Sequence, residues 1–165
     1  MSKAKIKKIL SVAVTAFIIA FIFSNSLMKG HQSSEISGGF TEFFFCILQN
    51  LGFSPDKYVL GTVVRKCGHF IEFSALGASL FSMFQSFNGK RLRNWEHVLF
   101  SGMSVALCDE IIQNFSEGRG PSVLDVALDF SGVAFGMLMG AFALYIVVKI
   151  ISKKGKVKEI EKNRC

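Results

Sequence analysis

Long apolar runs, separated by short polar segments, dominate the pattern of residues along this chain. Four runs approach or exceed the roughly 20 residues that an α-helix needs to cross about 30 Å of hydrocarbon. They predict membrane-spanning helices at about 7–26, 59–87, 97–115 and 123–151. The second and fourth runs are long enough to cross with tilt or to project from the bilayer. We therefore expect an all-α, integral membrane four-helix bundle that forms a single domain over residues 1–165.

A shorter amphipathic segment is predicted between the first two spans, at about 34–51. From Phe40 to Leu51 its apolar side chains recur at spacings of three and four residues, which gives a helix one apolar face. Because this segment is too short to cross, we expect it to lie in the outer interface or to cover the mouth of the bundle. The Ser- and Gly-rich stretch from Leu27 to Gly39 is typical of a loop.

The distribution of charge predicts the topology. The chain carries 19 Lys and Arg against 12 Asp and Glu, a formal net charge of +7. Most of the basic residues lie in three regions that border predicted spans, namely the N-terminus, the turn at 90–93 and the tail from Lys149. The positive-inside rule assigns such clusters to the cytoplasm, so we expect a multi-pass protein with both termini inside. This arrangement indicates the lipid bilayer as a partner and argues against nucleic acid.

The first apolar run allows a second interpretation. Its basic start, its apolar core and the small residues Ser24 and Ser26 also fit a secretory signal peptide. Cleavage there would leave three spans and an extracytoplasmic new terminus.

Cysteine usage adds little to this picture. The four residues Cys46, Cys67, Cys108 and Cys165 show no CxxC pair and no other zinc-ligand spacing. A disulfide between Cys46 and Cys67 on the outer side is one alternative, so the redox compartment stays open.

Ten ionisable or amide side chains lie in or beside the apolar runs. Charges in a bilayer cost a few kcal/mol each even on mild scales, so they stay where they have partners or a function. Because consecutive spans run in opposite directions, the polar positions of the last three spans all fall near the outer surface. We therefore predict one shared ligand-binding site at this level. Its residues are Arg65, Lys66, His69, Glu72, Asp109, Glu110, Gln113, Arg119, Asp125 and Asp129.

The spacing of these residues along each predicted helix indicates which helix face carries them. Arg65, His69 and Glu72 share one face of the second span, whereas Lys66 points about a quarter-turn away, where it could reach lipid headgroups. On the fourth span a stripe of small residues continues the line of Asp125 and Asp129, and this spacing lets helix backbones approach closely in lipid. The stripe consists of Gly132, Gly136 and Gly140.

Two other readings of the same residues stay open. Ion pairs such as Arg65 with Asp109 could simply fix the register of the helices. The ten residues include five acids and three bases, however, so some carboxylates would be protonated, unpaired or bound to a cation. A divalent cation held by His69, Glu72 and facing carboxylates is one candidate, although no strict ligand spacing is present.

Several segments form an ordered set of motifs. They are Phe23–Ser26 (FSNS), Gln32–Gly39 (QSSEISGG), Val64–Phe73 (VRKCGHFIEF), Asp109–Arg119 (DEIIQNFSEGR) and Ser122–Gly136 (SVLDVALDFSGVAFG). In this order they resemble the VanZ-like family of small bacterial integral membrane proteins. The family pattern has a Tyr where Phe73 stands, which is a mild departure. The resemblance implies that the ten polar residues are the family's shared set and that the protein lies in the bacterial plasma membrane.

The resemblance also implies a role in the cell envelope, because the founding member of the family is associated with low-level resistance to the glycopeptide teicoplanin. The first hypothesis is a protein that binds the charged headgroup of a cell-wall lipid precursor, or the antibiotic itself. Arg65, Lys66 and Arg119 would contact phosphate or carboxylate groups.

Two further functions fit the same residues. A membrane enzyme acting on a lipid-linked phosphate at the outer leaflet would draw its catalytic groups from His69, Glu72, Asp109 and Glu110. Cation-coupled transport would use the acids as a relay, but the inner halves of the spans are almost wholly apolar and offer no path through. The sequence does not fix the oligomeric state.

Overall fold

Five helices build the described part of the chain. The computed structural model describes residues 2–27, 30–88, 94–115 and 122–162, without the side chains of 30–37, 88 and 153–162. The helices are α1 (Lys3–Ser26), α2 (Gly30–Asn50), α3 (Lys57–Asn88), α4 (Trp95–Asn114) and α5 (Val123–Lys162). No strand occurs in the described ranges, and the all-α prediction is confirmed.

Two boundaries differ from the sequence-based expectation. Helix α2 begins at Gly30, so the loop predicted from Leu27 to Gly39 is wrong for most of its length. Ser and Gly are weak helix formers, but local propensity is overridden where a helix packs, as α2 does against α3. Helix α5 continues to Lys162, beyond the span predicted to end near 151, because its Lys- and Glu-rich end is a good helix former in water.

The turn between α2 and α3 follows local sequence signals. Gly52 has a φ of +84°, the left-handed conformation that commonly ends a helix, and the Phe53 amide donates to the Leu48 carbonyl at 2.9 Å. Asp56 then caps α3, because its Oδ1 accepts hydrogen bonds from the Tyr58 amide at 2.8 Å and the Val59 amide at 3.2 Å.

Helices α3 and α5 form the most extensive contact of the fold. Their backbones approach so closely that a Cβ on Gly136 would lie 1.8 Å from the Ser74 carbonyl oxygen. A Cβ on Gly77 of α3 would lie 2.1 Å from the Val133 carbonyl oxygen. Only glycine fits such positions, so these residues fix the spacing of the two helices. We call this contact the glycine seam.

The remaining helices complete the bundle around this seam. Helix α1 packs on α3 and α4, helix α4 packs on α3 and α5, and α2 packs on α3. The core between them is apolar and consists of Ile22, Phe73, Leu76, Leu80, Phe81, Val98, Ala106 and Val133.

Side-chain contacts define two ends of the bundle. At one end, the last turn of α1 meets the first half of α3 and the second half of α4, beside the start of α5. At the other end, the first half of α1 meets the end of α3 through hydrogen bonds between hydroxyl groups. Helices α1 and α4 therefore run antiparallel to α3 and α5, whereas α3 and α5 run parallel to each other. We call these the carboxylate end and the hydroxyl end.

The outside of the bundle is rich in exposed apolar side chains, among them Phe17, Phe100 and Leu138. Within the described residues, two helices are long and apolar enough to cross a membrane, Lys3–Ser26 and Val123–Ser152. Helices α3 and α4 carry the polar groups described below, which lower their hydropathy. Apolar helices of this kind suggest a membrane protein, and the four-span topology with cytoplasmic termini stays a prediction.

The disulfide considered between Cys46 and Cys67 is not formed. Both residues are free and exposed, as is Cys108.

Candidate functional site

Five titratable side chains from α3, α4 and α5 gather at the carboxylate end. Asp109 and Asp129 are almost completely buried, with exposed fractions of 0% and 1%. Glu110 is buried as well, whereas Glu72 and His69 are partly exposed. We call these five residues the carboxylate cluster.

His69 lies at the centre of this cluster. Its Nδ1 is 3.9 Å from Oδ2 of Asp109 and 3.9 Å from Oδ1 of Asp129. Three candidate ligand atoms, one from each of these residues, lie within 4.8 Å of one another. Separations of 3.9 Å are longer than a hydrogen bond. Three helices thus bring an imidazole and two carboxylates around a common point.

Donors from two helices hold Asp109. Its Oδ1 accepts a hydrogen bond from the Ser26 hydroxyl at 2.5 Å, and its Oδ2 accepts one from Nε2 of Gln113 at 2.6 Å. Gln113 is one turn beyond Asp109 on α4, and Ser26 is the last residue of α1. Both donors stabilise the ionised form of this carboxylate and fix its orientation.

Asp129 has no such support. Both of its carboxylate oxygens are buried, and neither accepts a hydrogen bond from any part of the chain that the structure describes. A buried polar group without a partner destabilises the folded state, and a buried charge does so more strongly. Asp129 is therefore the least satisfied member of the cluster.

The two glutamates bind neighbouring helix ends. Oε1 of Glu72 accepts a hydrogen bond from Nδ2 of Asn25 at 2.8 Å, which ties α3 to the last turn of α1. Oε1 of Glu110 accepts one from the amide of Ser122, directly before α5. A carboxylate at a helix N-terminus is favourable because it meets free amides and the positive end of the helix dipole. Glu110 thus fixes where α5 begins.

Lys66 forms an ion pair with Asp125 of α5, and both side chains are partly exposed. Lys66 pairs with this acid because the first turn of α5 passes beside α3 and brings the carboxylate within reach of the ammonium group. Contact of Lys66 with lipid headgroups stays a prediction.

Arg65 lies apart from the centre of the cluster. It lines a groove of about 230 Å³ between α2 and the first turns of α3. The groove wall also includes Glu42 and Lys57, which form an ion pair, and the hydroxyl residues Thr41 and Thr62. The groove therefore presents basic, acidic and hydroxyl groups together. Arg119, the remaining predicted base, lies outside the described residues.

Sequence reasoning missed two residues of this site, Asn25 and Ser26. At a helix end an amide and a hydroxyl resemble ordinary capping residues, and only their membership of the FSNS motif pointed further. The groove residues Thr41 and Glu42 were also missed, because nothing in the sequence relates α2 to the face of α3 that carries Arg65.

Comparison with known proteins gives one positive result. The sequence pattern of the family described as VanZ/LLP1 matches residues 11–148, which include every residue of the carboxylate cluster. No curated protein and no solved structure shows a significant match.

Proposed function

The chain belongs to the VanZ/LLP1 family, which confirms the family resemblance of its motifs, and from this premise we propose that it binds a charged headgroup in the cell envelope. The headgroup belongs to a cell-wall lipid precursor or to a glycopeptide antibiotic. Binding at the outer side of the plasma membrane would contribute to low-level teicoplanin resistance. The observation that carries this proposal is the meeting of a buried carboxylate cluster and an open, mixed-charge groove on the same half of α3.

The chemistry of the groove supports a ligand that carries phosphate or carboxylate. Arg65 offers a planar fork of donors that matches either group bidentately. Lys57 and the hydroxyl of Thr62 line the same wall, and Glu42 provides an acceptor for an amine. A headgroup with both charges would therefore find partners of both kinds.

Residues that connect the groove with the cluster lie on consecutive turns of α3. Arg65, His69 and Glu72 follow one another at spacings of four and three, so a ligand bound at Arg65 is one helical turn from His69. The His69 side chain is partly exposed, so it is not sealed off from a ligand. In the proposed function the cluster positions α1, α4 and α5 around the bound headgroup.

The test is teicoplanin susceptibility in a sensitive bacterial strain that expresses the protein. Wild-type protein should raise the inhibitory concentration several-fold, and Arg65→Ala should abolish this effect at equal membrane abundance. Gly68→Ala is the matched control, because a Cβ there meets nothing within 4 Å. Native mass spectrometry of the purified wild-type protein should show a co-purifying lipid that Arg65→Ala loses. Full protection by Arg65→Ala, or wild-type protein that retains no lipid, would contradict the proposal.

A second function is favoured by the surroundings of His69. An imidazole between two carboxylates is suited to general acid–base chemistry, so a membrane enzyme acting on a lipid-linked phosphate is the alternative. Purified protein should then release phosphate from a polyprenyl phosphate substrate, and His69→Gln should not. Absence of turnover by the folded wild-type protein, with and without divalent ions, would leave headgroup binding as the function.

A further inference from the structure

We propose that His69, Asp109 and Asp129 form a binding site for a divalent transition-metal ion, with zinc or manganese as the fitting chemistry. The proposal goes beyond headgroup binding and does not depend on it. It is carried by the geometry of three candidate ligand atoms and by the buried Asp129 carboxylate, which accepts no hydrogen bond from the described residues.

The spacing of the donor atoms fits one shared cation. Nδ1 of His69 lies 3.9 Å from an oxygen of each aspartate, and three donor atoms lie within 4.8 Å of one another. Two ligand atoms bound to one ion at about 2.0–2.4 Å are separated by roughly 3–4.5 Å. These side chains are thus too far apart to bond one another directly, but are spaced as ligands of the same ion.

Asp129 supplies an independent observation. It is 1% exposed, and neither of its oxygens accepts a hydrogen bond within the described part of the chain. One of these oxygens faces Nδ1 of His69 across the 3.9 Å gap. A buried carboxylate is normally paired or bound to a metal. A cation between Asp129 and His69 would supply the partner that the described protein groups do not.

The charge around the site also favours a divalent ion. Lys66 is engaged by Asp125, so it is not the counter-ion of Asp129. A divalent cation would balance the charge of Asp129, while neutral His69 donates the Nδ1 lone pair.

Ligand type narrows the choice of metal. Imidazole together with carboxylates suits zinc and manganese, whereas calcium and magnesium prefer sites made wholly of oxygen. Ser26 and Gln113 would act as the outer shell, since both donate to Asp109 and fix its orientation. With three protein ligands, further coordination positions would remain for water or for a ligand oxygen.

The experiment uses the full-length protein purified in detergent. Metal content is measured by elemental analysis, and affinity for Zn²⁺ and Mn²⁺ is measured by titration after chelator treatment. We expect about one ion per chain and weaker binding of Mg²⁺ and Ca²⁺. Asp129→Asn, which preserves shape, should weaken Zn²⁺ binding by at least about tenfold, and Ser26→Ala by about 10–100-fold.

Two controls separate the metal site from the proposed function. Asp125→Asn removes an acid one turn away on α5 and should keep full metal affinity. Arg65→Ala, which should abolish headgroup binding, should keep it as well. Failure of wild-type protein with intact helical circular dichroism to bind Zn²⁺ or Mn²⁺ would overturn the proposal. Equal affinity of wild-type and Asp129→Asn protein would also overturn it, whatever the result of the teicoplanin test.

Discussion

The two ends of the bundle solve the problem of burying polar groups in different ways. At the hydroxyl end, Ser11 and Ser86 meet at 3.1 Å across α1 and α3, as do Thr15 and Ser79. Each of these hydroxyls also has a carbonyl of its own helix within hydrogen-bond distance, so in each pair one hydroxyl donates across to its partner and the partner donates within its own helix. A hydroxyl both donates and accepts, so this end satisfies itself.

The carboxylate end cannot do so. An ionised carboxylate only accepts, and every donor must come from another residue. Asp109 obtains two donors, from Ser26 and Gln113, whereas Asp129 obtains none from the described residues. Hydroxyl pairs can therefore join helices without any further partner. Clustered acids leave a carboxylate that still needs a hydrogen-bond donor or a cation, which a ligand can supply. This asymmetry is the reason why the proposed site lies at the carboxylate end.

Separation of α3 from α5 should have the largest effect, because both ends of the bundle depend on the contact between these helices. Gly136→Ala would place a methyl group 1.8 Å from the Ser74 carbonyl oxygen, so α3 and α5 must move apart. We expect a loss of about 1–3 kcal/mol or more, typical of overpacking, measured as a lower midpoint of thermal unfolding in detergent. Gly140→Ala is the control on the same stripe, because its nearest neighbour is a Phe81 ring atom at 3.1 Å, which can shift. Equal midpoints for the two variants would contradict the importance of the glycine seam.

The carboxylate end can be tested with a matched pair of variants. In metal-free protein at neutral pH, Asp129→Asn should raise stability by about 1–3 kcal/mol, because a buried carboxyl group must either stay charged without a hydrogen-bond donor or take up a proton, and the amide does neither. Asp109→Asn should lower stability by a similar amount, about 1–3 kcal/mol, because an amide would lose the charge-assisted bonds to Ser26 and Gln113. Chemical denaturation of both variants measures the difference. If both changes destabilise equally, Asp129 has partners that resemble those of Asp109.

The hydroxyl end should respond more weakly. Interhelical hydrogen bonds in membrane proteins average about 0.6 kcal/mol in double-mutant cycles. We therefore expect a coupling free energy of about 0.6 kcal/mol between Thr15→Ala and Ser79→Ala, because each hydroxyl keeps its bond within its own helix when its partner is removed. A coupling as large as the effect of Asp109→Asn would show that the two ends are not energetically different.

The smallest effect is expected at the rim of the carboxylate end. Lys66→Met breaks the ion pair with Asp125, whose side chains are both partly exposed. Such pairs contribute at most about 0.5–1 kcal/mol and are screened by salt. The difference from wild type should shrink further when unfolding is repeated at high ionic strength. A larger effect that does not depend on salt would place Lys66 with the buried cluster instead.

Much of the fold followed from the sequence because helix length and apolar periodicity are local properties. The starts of α3, α4 and α5 lie within about two residues of their predicted positions, since Asp56 and Ser122 supply recognisable caps. The start of α2 was not predictable, because Ser and Gly are weak helix formers and its first half is rich in both.

The site was predictable as a set of residues but not as a set of contacts. Alternating helix direction explains why polar groups of α3, α4 and α5 share one end. The partners depend on how each helix is rotated about its axis, and close glycine contacts set that rotation. For this reason the sequence did not reveal that Lys66 turns towards Asp125, or that Asn25 and Ser26 join the cluster.

Backbone contacts in the glycine seam also set the dimensions of the carboxylate cluster. A Cβ on Gly132 would lie 2.8 Å from the carbonyl oxygen of Phe70. Phe70 directly follows His69, and Gly132 lies about one helical turn beyond Asp129. The distance between the His69 imidazole and the Asp129 carboxylate is therefore set by backbone contact rather than by flexible side chains. A bulkier residue at Gly132 would widen that distance and, at the proposed metal site, favour cations of larger ionic radius.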